Sequence, residues 1–407
     1  MTEQTAQQPP APAARCPYPF PTADGHHTLT REGGYAEARA SGRLLPVTLP
    51  HGNPDTGYLA ATHDQVKEVL GCPVLTREAA NTADTPRLGA DLLPELALLA
   101  MDGTEHVRMR RQVASTFTPR RARALRETFA AAAHRLIDEM TARGSSGDLI
   151  AAYTDPLTAL MVSETMGCPV DAATEFYGLA DKLTAPCEPD DYARMRKRFE
   201  EMCEQLSRPS VQRPTGLLDE LANARNGEDK LTAMEVTDLM LTVYAGGART
   251  PSIFMSSSVT TLLERPEQLR LLREQPGLWP GAVEELLRYI PIGLSGGFPR
   301  TAVQDVTIAG HLLRAGETVL PSTISANMDP AVFDEPDELD VTRARNPHLA
   351  FGHGPHRCPG AFVTKDLAEV ALPILFDRLP NLQVATVGHS WQSALIVRAM
   401  TELLAQW

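Results

Sequence analysis

Much of the chain repeats its apolar residues at three- and four-residue spacing, the pattern of helices that bury one face. Over 119–142, Leu125, Phe129, Ala132, Leu136 and Met140 share a face, Pro119 stands at the start and Gly144 supplies a stop. Thr232-Ala-Met-Glu235 reads as a capping box, in which a hydroxyl and a carboxylate satisfy the free N–H groups of a helix start. The apolar segment it opens runs to about residue 264, before Pro266. That predicts a helix of roughly 33 residues, near 50 Å long at ~1.5 Å per residue, which would cross a whole domain. Pro280 and Pro291 bracket a further helix over 281–289. Between 301 and 320 the pattern turns to alternation around Gly310 and Gly316, as in short strands. The segment 329–347, rich in Pro and Asp, reads as irregular coil. No repeat and no domain linker is visible. The pattern predicts a mainly α single domain with a smaller β portion.

Composition narrows this little. A length of 407 residues allows two or three average domains or one large fold, and 43% hydrophobic residues suffice for a core. Abundant alanine and leucine favour helices. No segment reaches ~18 uninterrupted apolar residues, so no membrane span is readable. Residues 1–14 are polar, rich in Pro, Ala and Gln, and lack the apolar core of a secretory signal. They are expected to be a disordered tail on a soluble cytoplasmic protein whose folded domain spans 15–407. The six cysteines (Cys16, Cys72, Cys168, Cys187, Cys203 and Cys358) form no CxxC pair, which argues against structural zinc and a disulfide framework. A net charge of −13 argues against general binding to nucleic acid or anionic membranes.

Chemistry concentrates in Phe351-Gly-His-Gly-Pro-His-Arg-Cys-Pro-Gly360. One cysteine, Cys358, sits behind a glycine-rich turn and just before an apolar, helix-forming run. A thiolate held there can serve as an axial haem ligand that pushes electron density onto iron. Gly352 and Gly354 permit the left-handed turns of a loop lying flat beneath a macrocycle. Backbone N–H groups and a helix starting near Gly360 would stabilise charge on sulfur. Phe351 would shield the sulfur from water. His356 and Arg357 add positive charge beside a cofactor with two carboxylates.

This segment resembles the cysteine-ligand loop of the cytochrome P450 family, and the resemblance extends over nearly the whole chain after the first ~15 residues. It implies the cytochrome P450 fold, with one long central helix crossing over haem b, and a haem-thiolate monooxygenase of the soluble bacterial class. Cys358 is then the iron ligand. His106 and Arg110 of His106-Val-Arg-Met-Arg110, with Arg300 and His356, match the family's propionate contacts, which act through charge-assisted hydrogen bonds. Glu285-Leu-Leu-Arg288 alone is a helix pair worth a few tenths of a kcal/mol on a surface. The resemblance makes it a buried structural pair, joined by Arg343 from Asp340-Val-Thr-Arg343.

The chain departs from the family pattern in Tyr244-Ala-Gly-Gly-Ala-Arg-Thr-Pro-Ser252. Counting from Arg265-Pro266 places Gly246 and Gly247 at the small positions, Arg249 at the usual acid, Thr250 at the alcohol and Pro251 after it. Thr250 and Arg249 are the candidate catalytic pair. Arginine stays protonated and cannot replace the acid as a proton relay. Pro251 lacks an N–H and its ring clashes with the carbonyl of residue 247, which kinks the helix and frees that carbonyl for an ordered water. Three roles for Arg249 compete: a salt bridge to Glu188, Asp190 or Asp191; a rerouted proton supply that favours C–C or C–N coupling over oxygen insertion; and capture of a substrate carboxylate, as in peroxide-using relatives that carry Arg-Pro here.

The resemblance places substrate against 79–98, 183–192, the central helix, 292–297 and 394–397. Candidate contacts are Tyr244, Ala245, Ala248, Ile292, Leu294, Ser295, Leu395 and Ile396. The substrate class it implies is a mid-sized secondary metabolite. The basic residues Arg108, Arg111, Arg120, Arg121, Arg357 and Lys365 suggest, in an acidic protein, a docking patch for a small acidic ferredoxin served by its reductase. The expected state is a monomer. Competing functions are a non-catalytic haem-binding sensor, motivated by the missing acid, and a chain that takes no haem.

Overall fold

The computed structural model describes residues 34–49, 51–87, 98–175, 189–206, 215–224, 231–247, 249–292, 297–384, 390–392 and 399–407. The expected tail at 1–14 lies outside them. Helices dominate and pack into one large apolar core. Its principal members are Arg126–Arg143, Asp155–Met166, Ala233–Gly247, Thr250–Leu263, Trp279–Tyr289 and Ala361–Arg378. The face predicted for 119–142 is the buried one: Phe129, Ala132, Leu136 and Met140 all point inward. That segment is two helices, however, Pro119–Ala124 and Arg126–Arg143, joined at Leu125. Gly144 ends the second with φ 150°, a backbone that favours glycine.

Much of the β portion packs over two smaller cores, while Met400, Leu403 and Ala405 belong to the main one. A five-stranded sheet runs in the order Leu45–Thr48, Thr56–Ala60, Thr318–Pro321, Arg300–Ala302, Leu75–Thr76. Its central pair, Thr56–Ala60 with Thr318–Pro321, is parallel and the others are antiparallel. The alternation read between 301 and 320 resolves into Arg300–Ala302, Val306–Ile308, His311–Leu313 and Thr318–Pro321, with Gly310 and Gly316 at positive φ in the turns. The helix Trp279–Tyr289 and the coil over 329–347 follow the sequence reading.

The predicted 33-residue central helix is not continuous. It starts as expected: the Thr232 N–H donates to Glu235 Oε2 at 2.7 Å, and the Glu235 N–H donates to Thr232 Oγ1 at 3.1 Å. It then breaks into Ala233–Gly247 and Thr250–Leu263. Pro251 explains the break. It offers no N–H to the carbonyl four residues back, and it is tolerated only in the first turn of a new helix. Ser256, Ser258 and Thr260 turn their hydroxyls back onto carbonyls of their own helix, which lets polar side chains sit in the buried second half.

Candidate active site

The cysteine loop is set by its glycines. Gly352 and Gly354 adopt φ of 71° and 70°, and a Cβ on Gly354 would lie 2.6 Å from the Leu70 carbonyl oxygen. The Gly352 N–H donates to Leu349 O at 2.8 Å, and the Cys358 N–H donates to Phe351 O at 2.8 Å, closing the loop on itself. Phe351 packs against the main core. The helix Ala361–Arg378 begins immediately after Gly360, whose own Cβ would stand 3.8 Å from Cys358 Sγ. Burial pushes the Cys358 thiol up, while the Gly360 and Ala361 N–H groups and the charges of Arg110 and Arg357 pull against it. A thiol so placed would bind a metal through sulfur, releasing its proton to solvent or a base as it does so.

Beside it, basic side chains from four chain segments converge. His106 and Arg110 come from the helix Gly103–Ala114, Arg300 from its strand, His356 from the cysteine loop, and Arg77 from the end of Leu75–Thr76. His106 and Arg300 are each only 2% exposed. The His106 and His356 rings lie 4.1 Å apart between centroids. Burial, then the neighbouring His356 and Arg110, hold the His106 imidazole down at about 4. Burial also lowers His356, against the pull of Asp102, whose Oδ1 lies 2.9 Å from His356 Nε2. Arg110 donates to the Arg357 carbonyl.

Four buried donor atoms in this cluster have no acceptor: His106 Nε2, Arg77 Nε, and Arg300 Nε and Nη2. Buried donors are rarely left this way, because each costs ~1–3 kcal/mol unpaired. The donor set fits a ligand that carries two carboxylates and lies beside the cysteine loop. Gly246, in the helix Ala233–Gly247, is exposed, and a Cβ there would meet nothing within 4 Å. Asp102 and Arg77 were not legible as site residues. Asp102 is the cap residue before Gly103, and only strand pairing brings Arg77 into the cluster.

Glu285, Arg288 and Arg343 come together as the resemblance implied. The Glu285 and Arg288 side chains are fully buried, with Arg288 Nη2 2.7 Å from Glu285 Oε1 and Nε 2.8 Å from Oε2. Arg343 Nε donates to Glu285 Oε2 at 3.0 Å.

At the helix break, Arg249 is the cap residue of Thr250–Leu263, with helical φ and ψ of −89° and −40°, and both Arg249 and Thr250 are partly exposed. In the turn that follows, Asp155 accepts from Ser252 Oγ, and Thr154 Oγ1 lies 2.8 Å from the same oxygen. Residues two apart on a helix point to nearly opposite sides. The Asp155–Ser252 bond therefore anchors a buried face of this helix, turned away from the Thr250 side chain. Glu188, and the side chains of Asp190 and Asp191, lie outside the described residues.

Tyr244 corrects an expectation. Its side chain is fully buried, its hydroxyl lies 2.8 Å from Cys168 Sγ, and its ring meets Phe199 edge-on. It serves the helical core rather than an open pocket. Ile292 packs partly buried against the main core. The side chain of Ala245, and residues Ala248, Leu294, Ser295, Leu395 and Ile396, lie outside the described residues. Half of the expected basic patch is already engaged: Arg108 pairs with Glu105 and Glu235, Arg121 with Glu220, and Lys365 with Glu284. Arg111, Arg120 and Arg357 are exposed. No helix among the described residues is long and apolar enough to cross a membrane.

The family model described as Cytochrome P450 matches residues 278–379, which hold both the Glu285–Arg288 pair and Cys358. The chain is 37% identical to nocardicin C N-oxygenase of Nocardia uniformis subsp. tsuyamanensis, over 92% of this chain and 95% of that one. It is 34% identical to mycinamicin IV hydroxylase/epoxidase of Micromonospora griseorubida, over 96% and 98%. It is 34% identical to cytochrome P450 105A3 of Streptomyces carbophilus, over 100% and 99%. Among solved structures, the mixed-function P450 MycG bound to mycinamicin IV superposes with a TM-score of 0.86 at 34% identity, covering 96% of this chain and 99% of that one. The cysteine loop, the buried Glu–Arg–Arg brace and end-to-end similarity to these proteins lead to one conclusion: the chain belongs to the cytochrome P450 family and is a monooxygenase of that family.

Proposed function

We propose that the protein binds haem b with Cys358 as the axial thiolate and oxidises a mid-sized secondary metabolite, using dioxygen and electrons from a small acidic ferredoxin. The observation that carries this is a cysteine held in a glycine-set loop beside a cluster of buried side-chain nitrogens with no partner. His106, Arg110, Arg300 and His356 hold the propionates; Glu285, Arg288 and Arg343 brace the core behind the loop. Haem, when bound, supplies the oxidising iron. The Gly360 and Ala361 N–H groups moderate charge on the Cys358 sulfur, and Phe351 keeps water from it. Thr250 offers a hydroxyl toward the oxygen side. Arg249 carries no exchangeable proton near neutral pH, so protons reach the site through Thr250 and through water bound at the Gly247 carbonyl that Pro251 leaves free. Slow delivery of this kind favours coupling over oxygen insertion. The relatives support a tailoring role. They include 20-oxo-5-O-mycaminosyltylactone 23-monooxygenase and a putative thioether synthase, 32% identical each, names that span oxygen insertion and bond formation. We further propose a cytoplasmic monomer, with Arg111, Arg120 and Arg357 as the free part of the ferredoxin patch.

The test is the carbon monoxide spectrum of the reduced protein. A red-shifted, thiolate-type Soret band that disappears in Cys358→Ser is expected; its absence from the wild type refutes the assignment. Electron consumption that no substrate stimulates would favour a sensor.

One feature favours a second reading, a peroxide-dependent enzyme. Arg249 stands at the start of Thr250–Leu263, where the helix dipole adds partial positive charge to the guanidinium. That corner suits a substrate carboxylate. In Arg249→Glu, collapse of peroxide-driven turnover supports this reading, and unchanged turnover with lower stability supports a structural salt bridge.

A further inference from the structure

The strand Leu75–Thr76 pairs antiparallel with Arg300–Ala302, Leu75 opposite Ala302 and Thr76 opposite Thr301. One more step in this register brings Arg77 opposite Arg300. Like charges directly opposite one another in an antiparallel pair are destabilising, and burial raises the cost. Both guanidiniums are nonetheless drawn inward. Burial first, then the charges of Arg300 and Arg110, hold Arg77 down at about 9. Its guanidinium lies 4.8 Å above the Phe298 ring, and its Nη1 reaches only Leu99 O at 3.4 Å, leaving Nε unpaired.

Asp102 relieves the pair only in part. Its Oδ2 is taken by the backbone N–H groups of Arg77 at 2.6 Å and Glu78 at 3.0 Å, and its Oδ1 by His356. Arg300 Nη1 stands 3.7 Å from Oδ1, and among the described residues no ion pair closes between the Arg77 guanidinium and Asp102. Three guanidiniums (Arg77, Arg110 and Arg300) thus share a cluster with one carboxylate, Asp102, and Arg77 Nε and Arg300 Nε and Nη2 have no partner. An excess of guanidiniums with unpaired N–H groups suits a group that brings carboxylates of its own.

We propose that Arg77 is a further residue holding the haem propionates, forming with Arg300 a cross-strand guanidinium clamp whose position is set by Asp102. This rests on the reading that the cation cluster takes haem. In the absence of an anion the clamp is a source of repulsion; with one between its arms it is the strongest kind of contact, a charge-assisted fork. Asp102 orients the clamp through the Arg77 backbone and holds the His356 ring, so it is a positioning residue.

The experiment compares haem release from the wild-type, Arg77→Gln and Arg77→Lys holoenzymes into excess apomyoglobin at neutral pH. It is run with natural haem and with haem whose propionates are methyl esters. With natural haem, Arg77→Gln should release about tenfold faster than wild type, the effect of one lost charged hydrogen bond, and Arg77→Lys about threefold faster. With the diester, all three should release at one rate. Equal release of natural haem by wild type and Arg77→Gln overturns the proposal. So does an acceleration that persists with the diester, which would mark a merely structural arginine. If Arg77→Gln accumulates without haem, the wild-type and Arg77→Lys pair decides on the same criteria. A wild type that lacks the thiolate-type carbon monoxide band would instead sink the haem reading beneath it.

Discussion

Replacing Glu285 by glutamine should unfold most of this protein at moderate denaturant, and the structure says why. Glu285 Oε1 accepts from Arg288 Nη2 at 2.7 Å and the Asp340 N–H at 3.0 Å. Oε2 accepts from Arg288 Nε at 2.8 Å, Arg343 Nε at 3.0 Å and Asn346 Nδ2 at 3.0 Å. Five donors thus meet one carboxylate that is 0% exposed. An amide keeps the shape but turns one acceptor into a donor aimed at other donors, and it leaves Arg288 charged and uncompensated. Removing one partner of a buried pair costs about 3–5 kcal/mol. Domains have only ~5–15 kcal/mol in hand. Arg288→Met should cost at least as much, because Arg288 also donates to the carbonyls of Asn327 at 3.0 Å, Pro336 at 2.7 Å and Glu338 at 2.9 Å. For the same reason, Glu285→Leu combined with Arg288→Met should stay destabilised by ~2 kcal/mol or more. Many buried pairs can be exchanged for apolar residues with little loss; here three carbonyls would be orphaned. The assay is urea unfolding of the haem-loaded protein, followed by far-UV circular dichroism. A Glu285→Gln cost below about 1 kcal/mol, or a neutral double variant, refutes the reasoning.

Gly354→Ala should lower the ratio of Soret to protein absorbance sharply, because its Cβ would press on the Leu70 carbonyl at 2.6 Å with φ at 70°, whereas Gly352→Ala, whose nearest new contact is 4.0 Å away, should lose far less. Equal effects of the two would refute the steric argument. Burial would raise Glu284, but hydrogen bonds from His348 and Lys365 outweigh it and hold the carboxyl at about 2. Its stabilisation is therefore present above the unfolded value of ~4.3 and lost as pH falls toward 2. The unfolding free-energy gap between wild type and Glu284→Gln should shrink from pH 6 to pH 3 from an initial size on the order of 1 kcal/mol, since a third of the side chain is exposed; a flat gap would contradict the linkage. Tyr153→Phe should cost ~1–3 kcal/mol in the same unfolding assay, since the buried Tyr153 hydroxyl donates to the Ala371 carbonyl at 2.7 Å and joins the helices on either side of the main core; no measurable cost would mean that carbonyl finds another donor.

Local signals in the sequence survived where local physics decides. Capping at Thr232, the proline-bracketed helix before Tyr289, the alternation between 301 and 320 and the glycines of the cysteine loop all depend on residues a few positions apart, and they stand in the structure as read. Tyr244 was misplaced because its helical face was inferred from the family register. The partner that settles its direction, Cys168, lies 76 positions away. Arg77 escaped notice for a similar reason: its importance comes from a strand register with Arg300 and from a backbone bond to Asp102, neither of which leaves a periodic trace. The same long-range pairing consumes half of the predicted basic patch. Arg108 and Arg121 read as free cations in the sequence, but Glu235 and Glu220 approach them only after the helices pack.

The break in the central helix and the arginine at its edge make sense as one change. Each half is held by its own neighbours. Arg108 bonds to Glu235, Arg196 to Asp238 and Tyr244 to Cys168 on the first half, and Thr154 and Asp155 bond to Ser252 on the second. Continuity through residues 248–250 is thus not required to position either one. Once the second half starts at Thr250, Pro251 falls in its first turn, where a missing N–H costs little; inside an unbroken helix it would cost ~3 kcal/mol. The break also places the first amides of a new helix beside Arg249, whose carbonyl accepts the Ile253 N–H at 3.0 Å. Fixed positive charge then occupies the position where the family keeps a carboxylate. On the proposed haem reading, such a corner attracts anions and repels a proton carried as a cation. Proton delivery must therefore run through neutral carriers, the Thr250 hydroxyl and water held at the Gly247 carbonyl.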